Sequence, residues 1–216
     1  MLLAQDNFHY NTCRSKPRYY NYMHKSRIAQ SVLFLLAFSN LYAGQVQSLS
    51  TVRTDGAYVF SIRVKINSGV AVIWPLIDDF TNLARMNNAI VNSSYLPSPD
   101  PLARRVQVKT HFCIWFFCKY INHVQDIVAM DEHEVFTVIL PTKSDFRAGW
   151  AKWKLTADRQ ANTSILAIDM ALVPRFWIPP VIGPYLIKRK LNAEGLETVQ
   201  GLERLIQEKS HVKNGF

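Results

Sequence analysis

No stretch of this 216-residue chain reads Gly-x-Ser-x-Gly, no glycine loop is arranged to cradle a phosphate, and no dinucleotide fingerprint occurs. The motif-defined routes to an activated serine, a nucleotide or a dinucleotide cofactor are therefore without a signal. The six histidines are scattered. His111, His123 and His133 fall on separate strand candidates or turns, and no spacing matches a zinc site. No catalytic residue, metal ligand or cofactor is assigned on these grounds. Lysine and arginine form no stripe interleaved with aromatics, so a nucleic-acid partner is not expected. Internal repeats and low-complexity tracts are lacking too. What remains is a chain that is 49% apolar and 19% charged, a composition that folds around a core.

The formal charge of +9 overstates how basic the folded part is. Residues 1–43 hold five of the 25 Lys and Arg (Arg14, Lys16, Arg18, Lys25, Arg27) and one of the 16 acids (Asp6), which leaves 20 against 15, or +5, for the rest. That mild excess favours anionic lipid surfaces. The N-terminal part reads as an address label. Met23-His24-Lys25-Ser26-Arg27 is a short basic region, Ile28 to Phe38 an apolar run, and Ser39 to Gly44 ends in small residues. This is the pattern of a secretory signal peptide, with cleavage expected after Ala43 and export to a periplasmic or extracellular space. The alternative is an N-terminal membrane anchor, although the apolar run falls short of the roughly 20 residues a bilayer span needs. Residues 1–22 are polar and tyrosine-rich, which leaves Met1 and Met23 as alternative starts.

Only three cysteines occur, Cys13, Cys113 and Cys118. Cleavage near Ala43 removes the first. An exported chain with two cysteines permits one disulfide. Cys113 and Cys118 can bridge a tight hairpin, or can be two ordinary apolar side chains pointing to opposite faces of one strand.

Tyr58, Phe60, Ile62, Val64 and Ile66 alternate with Val59, Ser61, Arg63 and Lys65, the period of a half-buried strand. Gln45 to Gly56 reads as a polar lead-in. Asn67-Ser68-Gly69 ends the strand, and Ser68 is placed to cap a helix. Val70 to Phe80 suits a short helix that Pro75 kinks or breaks, with a second short helix over Thr81 to Asn87. Further strands are expected over Ile90–Leu96, Arg105–Phe117, Lys119–Met130, Glu134–Leu140, Ala148–Thr156 and Ser164–Val173. Their short connections favour an antiparallel meander. The hinge Val173-Pro174-Arg175-Phe176-Trp177-Ile178-Pro179-Pro180 opens into a long helix reaching about Lys209, with Leu196, Val199, Leu202 and Ile206 on one face.

The fold class is α+β: a curved antiparallel sheet wrapped around a long C-terminal helix, with two short helices after the first strand. The domain is placed at 57–209, after a signal-bearing extension (1–43) and a linker (44–56), and before a tail (210–216). Val72-Ile73-Trp74 leads to Asp78-Asp79-Phe80, Ser144-Asp145-Phe146 is followed by Gly149-Trp150-Ala151-Lys152-Trp153, and Pro174 to Gly183 precedes the long helix. In these residues and their order the chain resembles the helix-grip fold of the START-like (SRPBCC) superfamily, which includes polyketide cyclase/dehydrase and lipid-transport proteins. The resemblance runs from about Gly56 to Leu205. It implies an apolar cavity between sheet and helix, and a structural role for the acids that end the first helix. Fold alone does not give function.

The candidate ligand-binding set is Phe146, Trp150, Trp153, Phe176, Trp177, Ile182 and Leu186. Such rings line pockets or simply fill cores. By strand parity Trp150 and Trp153 face opposite sides, so at most one points inward. Asp145 and Arg147 can pair or orient a polar group at the mouth, with a turn role as the plainer reading. Asp169 alternates with Ala167 and Ala171, on the solvent side. Lys188-Arg189-Lys190 is either a membrane-touching patch or a solvated helix turn. The expected partner is a hydrophobic small molecule or lipid, held without a cofactor. The alternative is a cyclase- or hydrolase-type enzyme acting on an aromatic or polyketide-like substrate, which requires polar groups converging inside the cavity.

Overall fold

The computed structural model describes residues 44–114, 117–160 and 162–214. The expected extension, signal peptide and cleavage site, with Cys13 and the alternative anchor, lie outside the described residues. Eight strands form one antiparallel sheet: β1 (Gln45–Thr54), β2 (Ala57–Ile66), β3 (Ile90–Leu96), β4 (Arg104–Ile114), β5 (Phe117–Asp131), β6 (Glu134–Ile139), β7 (Phe146–Ala157) and β8 (Ser164–Pro174). Their spatial order is β1-β2-β8-β7-β6-β5-β4-β3. Between β2 and β3 come α1 (Val70–Asp78), a 3-10 turn (Phe80–Asn82) and α2 (Leu83–Met86), and α3 (Gly183–Asn214) closes the chain. The sheet is open and curved around α3, which is the helix-grip architecture.

Four expectations are corrected. The lead-in at 44–56 is not a linker but contains strand β1, registered residue for residue against β2 except at one irregularity near Val46 and Ser48. Its hairpin turns on Asp55 and Gly56, whose φ of 51° and 82° are the left-handed pair that a two-residue turn demands. β1 is a polar edge strand with most side chains exposed, so the hydrophobic pattern of an inner strand is weak in it. The tail boundary at 210 also moves, since α3 runs on to Asn214. Pro75 neither breaks nor ends α1. It removes one backbone donor, and Ala71, whose carbonyl would have received it, is exposed to water. Finally, the N-cap of α1 is Gly69 rather than Ser68, which is buried with its carbonyl accepting the Ser164 hydroxyl.

The main core lies between β2, β8, β7 and α3. Phe60, Ile62, Val64 and Ile66 present the inner face of β2 to Val199, Leu202, Leu205 and Ile206, with Ile73, Leu76 and Ile77 of α1 completing the cluster. A second cluster joins Phe80 and Leu83 to Val106, Val108, Ile127 and Val135. The two interior glycines of α3 mark close approach. A Cβ at Gly195 would stand 2.3 Å from the Phe60 ring, and one at Gly201 would stand 1.9 Å from the carbonyl oxygen of Met86. The helix can therefore lie flat on β2 on one side and on the end of α2 on the other.

Candidate ligand-binding site

The core clusters leave a cavity of about 230 Å³ between the sheet and α3. Strand alternation builds its floor. Tyr58 and Phe60 come from β2, Ile168, Met170 and Leu172 from β8, Ala151 and Trp153 from β7, Ile139 from β6, Ile121, His123 and Gln125 from β5, and Val108, Thr110 and Phe112 from β4. Each set except the single residue of β6 is spaced by two, the repeat that keeps side chains on one face. Ile187, Leu191, Glu194, Gly195 and Thr198 of α3 form the roof, with Phe80, Leu83 and Asn87 at the side. Phe146, Pro174 and Phe176 complete the wall near the start of the β8–α3 connection.

Of the expected ligand-binding residues, Phe146, Trp153 and Phe176 line this cavity with their rings engaged in edge contacts. Phe146 meets Phe176 at 6.2 Å, and Trp153 meets Phe80 at 6.0 Å, both edge to face. Trp150 borders the cavity, but its ring stacks on Phe136 at 5.8 Å beside exposed Val138, on the face of β7 opposite Trp153. Trp177, Ile182 and Leu186 are not part of the lining. Trp177 is 76% exposed and Ile182 is also exposed, because the connection before α3 turns them outward. Ile187, not Leu186, faces inward, one residue on in the phase of the helix.

Cys113 and Cys118 are disulfide-bonded and directly opposite each other across the β4–β5 hairpin. Just beyond the pair, the Lys119 ammonium lies over the Phe176 ring at 5.2 Å, so this hairpin and the β8–α3 connection meet beside the cavity. His111 Nε2 lies 3.6 Å from the Cys113 sulfur, but the bonded sulfurs are not available as metal ligands.

The acids have structural roles. Asp78 pairs with Arg104 at 2.5 Å, while Asp79 accepts from the Thr81 amide at 3.0 Å and caps the 3-10 turn. Asp145 accepts from the Asn122 amide at 2.8 Å and fastens the turn before β7 to β5. Arg147 points to solvent. Asp169 accepts from the Ser61 hydroxyl across the outer face of the β2–β8 pair.

Polar groups missed in the sequence converge on the cavity instead. Tyr58 Oη, His123 Nδ1 and Glu194 Oε2 are buried and have no hydrogen-bond partner among the described residues. Such atoms are uncommon and call for a reason. Burial pulls His123 down to about 4, so its imidazole is neutral, and its ring lies edge-on to Phe146 at 5.9 Å. Burial raises the Tyr58 phenol, an effect that Arg53 over the ring partly offsets. The other Glu194 oxygen pairs with Lys190, one helical turn earlier. Asn87 is fully engaged, donating to the Glu194 carbonyl and the Thr198 hydroxyl and accepting from the Ala89 amide. A signal for His123 was present, since Ile121, His123, Gln125 and Ile127 share one parity, but Val124 and Val128 supply apolar residues on the other.

No protein-family model matches the chain, and no curated protein does. Solved structures do. The chain is similar to the Zhui aromatase/cyclase from Streptomyces sp. R1128 (TM-score 0.59, 9% identity, 74% of this chain and 99% of that one). It is similar to a START superfamily protein from Mycobacterium smegmatis (0.55, 14%, 69% and 97%). It is also similar to a STAR-related lipid transfer protein from Xanthomonas axonopodis (0.51, 13%, 74% and 98%). The fold is thus that of the START and polyketide-cyclase proteins. Identities this low carry architecture and not substrate.

Proposed function

We propose that this chain binds, and in that form transports, a hydrophobic small molecule or lipid between the sheet and α3. The observation that carries the reading is the cavity of about 230 Å³, lined chiefly by apolar side chains, where a filled core would have none. Burying apolar ligand surface there stabilises the complex by about 25 cal/mol per Å², less the cost of association. The connection from Phe176 to Pro180 is the gate. Trp177 within it and Val181 and Tyr185 just after it are exposed, and Lys188 and Arg189 follow on the exposed side of α3, a combination suited to a membrane surface. Lys190 belongs to the Glu194 ion pair and is not part of that patch.

Native mass spectrometry and organic extraction of the purified protein test the proposal, with Ala151→Leu as the control that fills the floor. A co-purifying apolar molecule that Ala151→Leu loses supports it. A protein that takes up no apolar probe, with or without the substitution, defeats it.

We also propose export. The Cys113–Cys118 disulfide suits an oxidising compartment. Cleavage after Ala43 would place a new ammonium at Gly44, where the half-buried Glu203 carboxylate already accepts the Gly44 N–H.

A second reading, a cyclase- or hydrolase-type enzyme in the same cavity, is favoured by one observation. His123 faces inward with its Nδ1 unpartnered and its ring neutral, so it can accept a proton from a bound substrate. Turnover of an aromatic or polyketide-like substrate that His123→Phe abolishes, with binding retained, would establish it.

A further inference from the structure

The charges around the cavity narrow what it can hold, an argument that rests on the ligand-binding reading above. Among the described residues no lysine or arginine lines the cavity, and Glu194 is the one acidic residue that does. Lys190, the cation nearest to Glu194, is spent on its Oε1. A ligand carboxylate or phosphate entering here would lose its water without meeting a free cation, and would face a carboxylate already in place.

The unpartnered atoms state what is wanted in its stead. Glu194 Oε2 accepts only, so it needs a donor from the ligand. The Tyr58 hydroxyl donates or accepts. A neutral imidazole donates through one nitrogen and accepts through the other. A hydroxyl, which both donates and accepts, can meet any of these demands, and a hydrocarbon meets none.

Their placement adds a shape. Tyr58 on β2 and His123 on β5 are separated by β8, β7 and β6, whose inward residues include Met170, Leu172, Ala151 and Ile139. Glu194 adjoins Gly195, which rests on Phe60, two residues along β2 from Tyr58. The polar groups therefore flank an apolar middle. The cavity volume of about 230 Å³ lies below the roughly 300–1,000 Å³ of pockets for drug-sized ligands, which suits one or two fused rings rather than a diacyl lipid.

We infer that the cavity selects a small, uncharged, hydroxyl-bearing apolar molecule, whose O–H donates to Glu194 Oε2, and rejects carboxylates and phosphates of the same shape.

Calorimetric titration of the full chain at neutral pH with 2-naphthol, naphthalene and 2-naphthoate tests this. The alcohol is expected to bind about fivefold more tightly than the hydrocarbon, for one satisfied hydrogen bond, and at least tenfold more tightly than the carboxylate. Glu194→Gln, which keeps shape and removes charge, should bring the carboxylate to within about threefold of the alcohol. Tyr58→Phe gives a second reading that leaves the ring in place, and should weaken the alcohol while leaving the hydrocarbon unchanged. Equal or tighter binding of 2-naphthoate by the unsubstituted protein, or an alcohol preference that neither substitution alters, overturns this inference and leaves the binding cavity standing. Failure of all three probes to bind overturns the cavity reading and this one with it.

Discussion

Gly201 of α3 rests directly on Met86 of α2, with no room between helix backbone and helix end for even a methyl group. The contact fixes where the long helix lies, and hence how much space stays open beneath it. Met86 is itself buried, and Asn87 next to it hydrogen-bonds across to Glu194 and Thr198. Gly201→Ala should therefore force the two helices apart, although alanine is the better helix former. Overpacking of this kind costs about 3 kcal/mol, against a gain of about 1 kcal/mol in propensity. A lower midpoint in urea denaturation is the expected result, and an unchanged or raised midpoint would sink the packing argument.

The pH dependence of stability should carry the signature of His123. Its folded value of about 4 lies below the ordinary 6.5 because burial disfavours the charged ring. The unfolded chain then binds more protons between those values, so stability is full above about pH 6.5 and falls as the pH drops towards 4. The shift corresponds to about 3 kcal/mol in total. His123→Gln should flatten this part of the profile, measured as the denaturant midpoint from pH 7 to pH 4. An unchanged slope would show that other groups carry it.

Reduction of the Cys113–Cys118 bond should have a modest effect on the fold. The loop it closes is short, so the constraint on the unfolded chain is worth about 2 kcal/mol. Cys113→Ser with Cys118→Ser should thus lower stability by up to that amount in a thermal melt and leave far-ultraviolet circular dichroism unchanged. Loss of the sheet signal would mean the hairpin is held mainly by the disulfide.

Export makes a prediction about Gly44. Burial raises the Glu203 carboxyl, and the Gly44 N–H partly compensates. An ammonium at that position would compensate further. Protein recovered from the exported fraction should begin at Gly44 by N-terminal sequencing. Glu203→Gln should then destabilise this processed form more than the unprocessed chain, by no more than about 1 kcal/mol for a partly solvated pair. A mature N-terminus elsewhere, or equal effects on both forms, would refute the arrangement.

The sequence by itself determined the meander and its closing helix. Period-two runs such as Tyr58 to Ile66, and the stripe Leu196, Val199, Leu202 and Ile206, fix which faces are apolar through local geometry alone. The Asp55-Gly56 turn was not read, because the edge strand it serves exposes polar side chains and lacks the apolar alternation of an inner strand. Only the tertiary structure decided the lining of the cavity. Ile187 rather than Leu186 faces inward because contacts with β2 and α2 set the rotation of α3, and Trp177 turns outward because no helix or strand period governs its connection. His123 was ambiguous for a related reason, since both faces of β5 carry apolar residues until packing chooses between them. Long-range contact, which no local pattern encodes, brought Tyr58, His123 and Glu194 around one space.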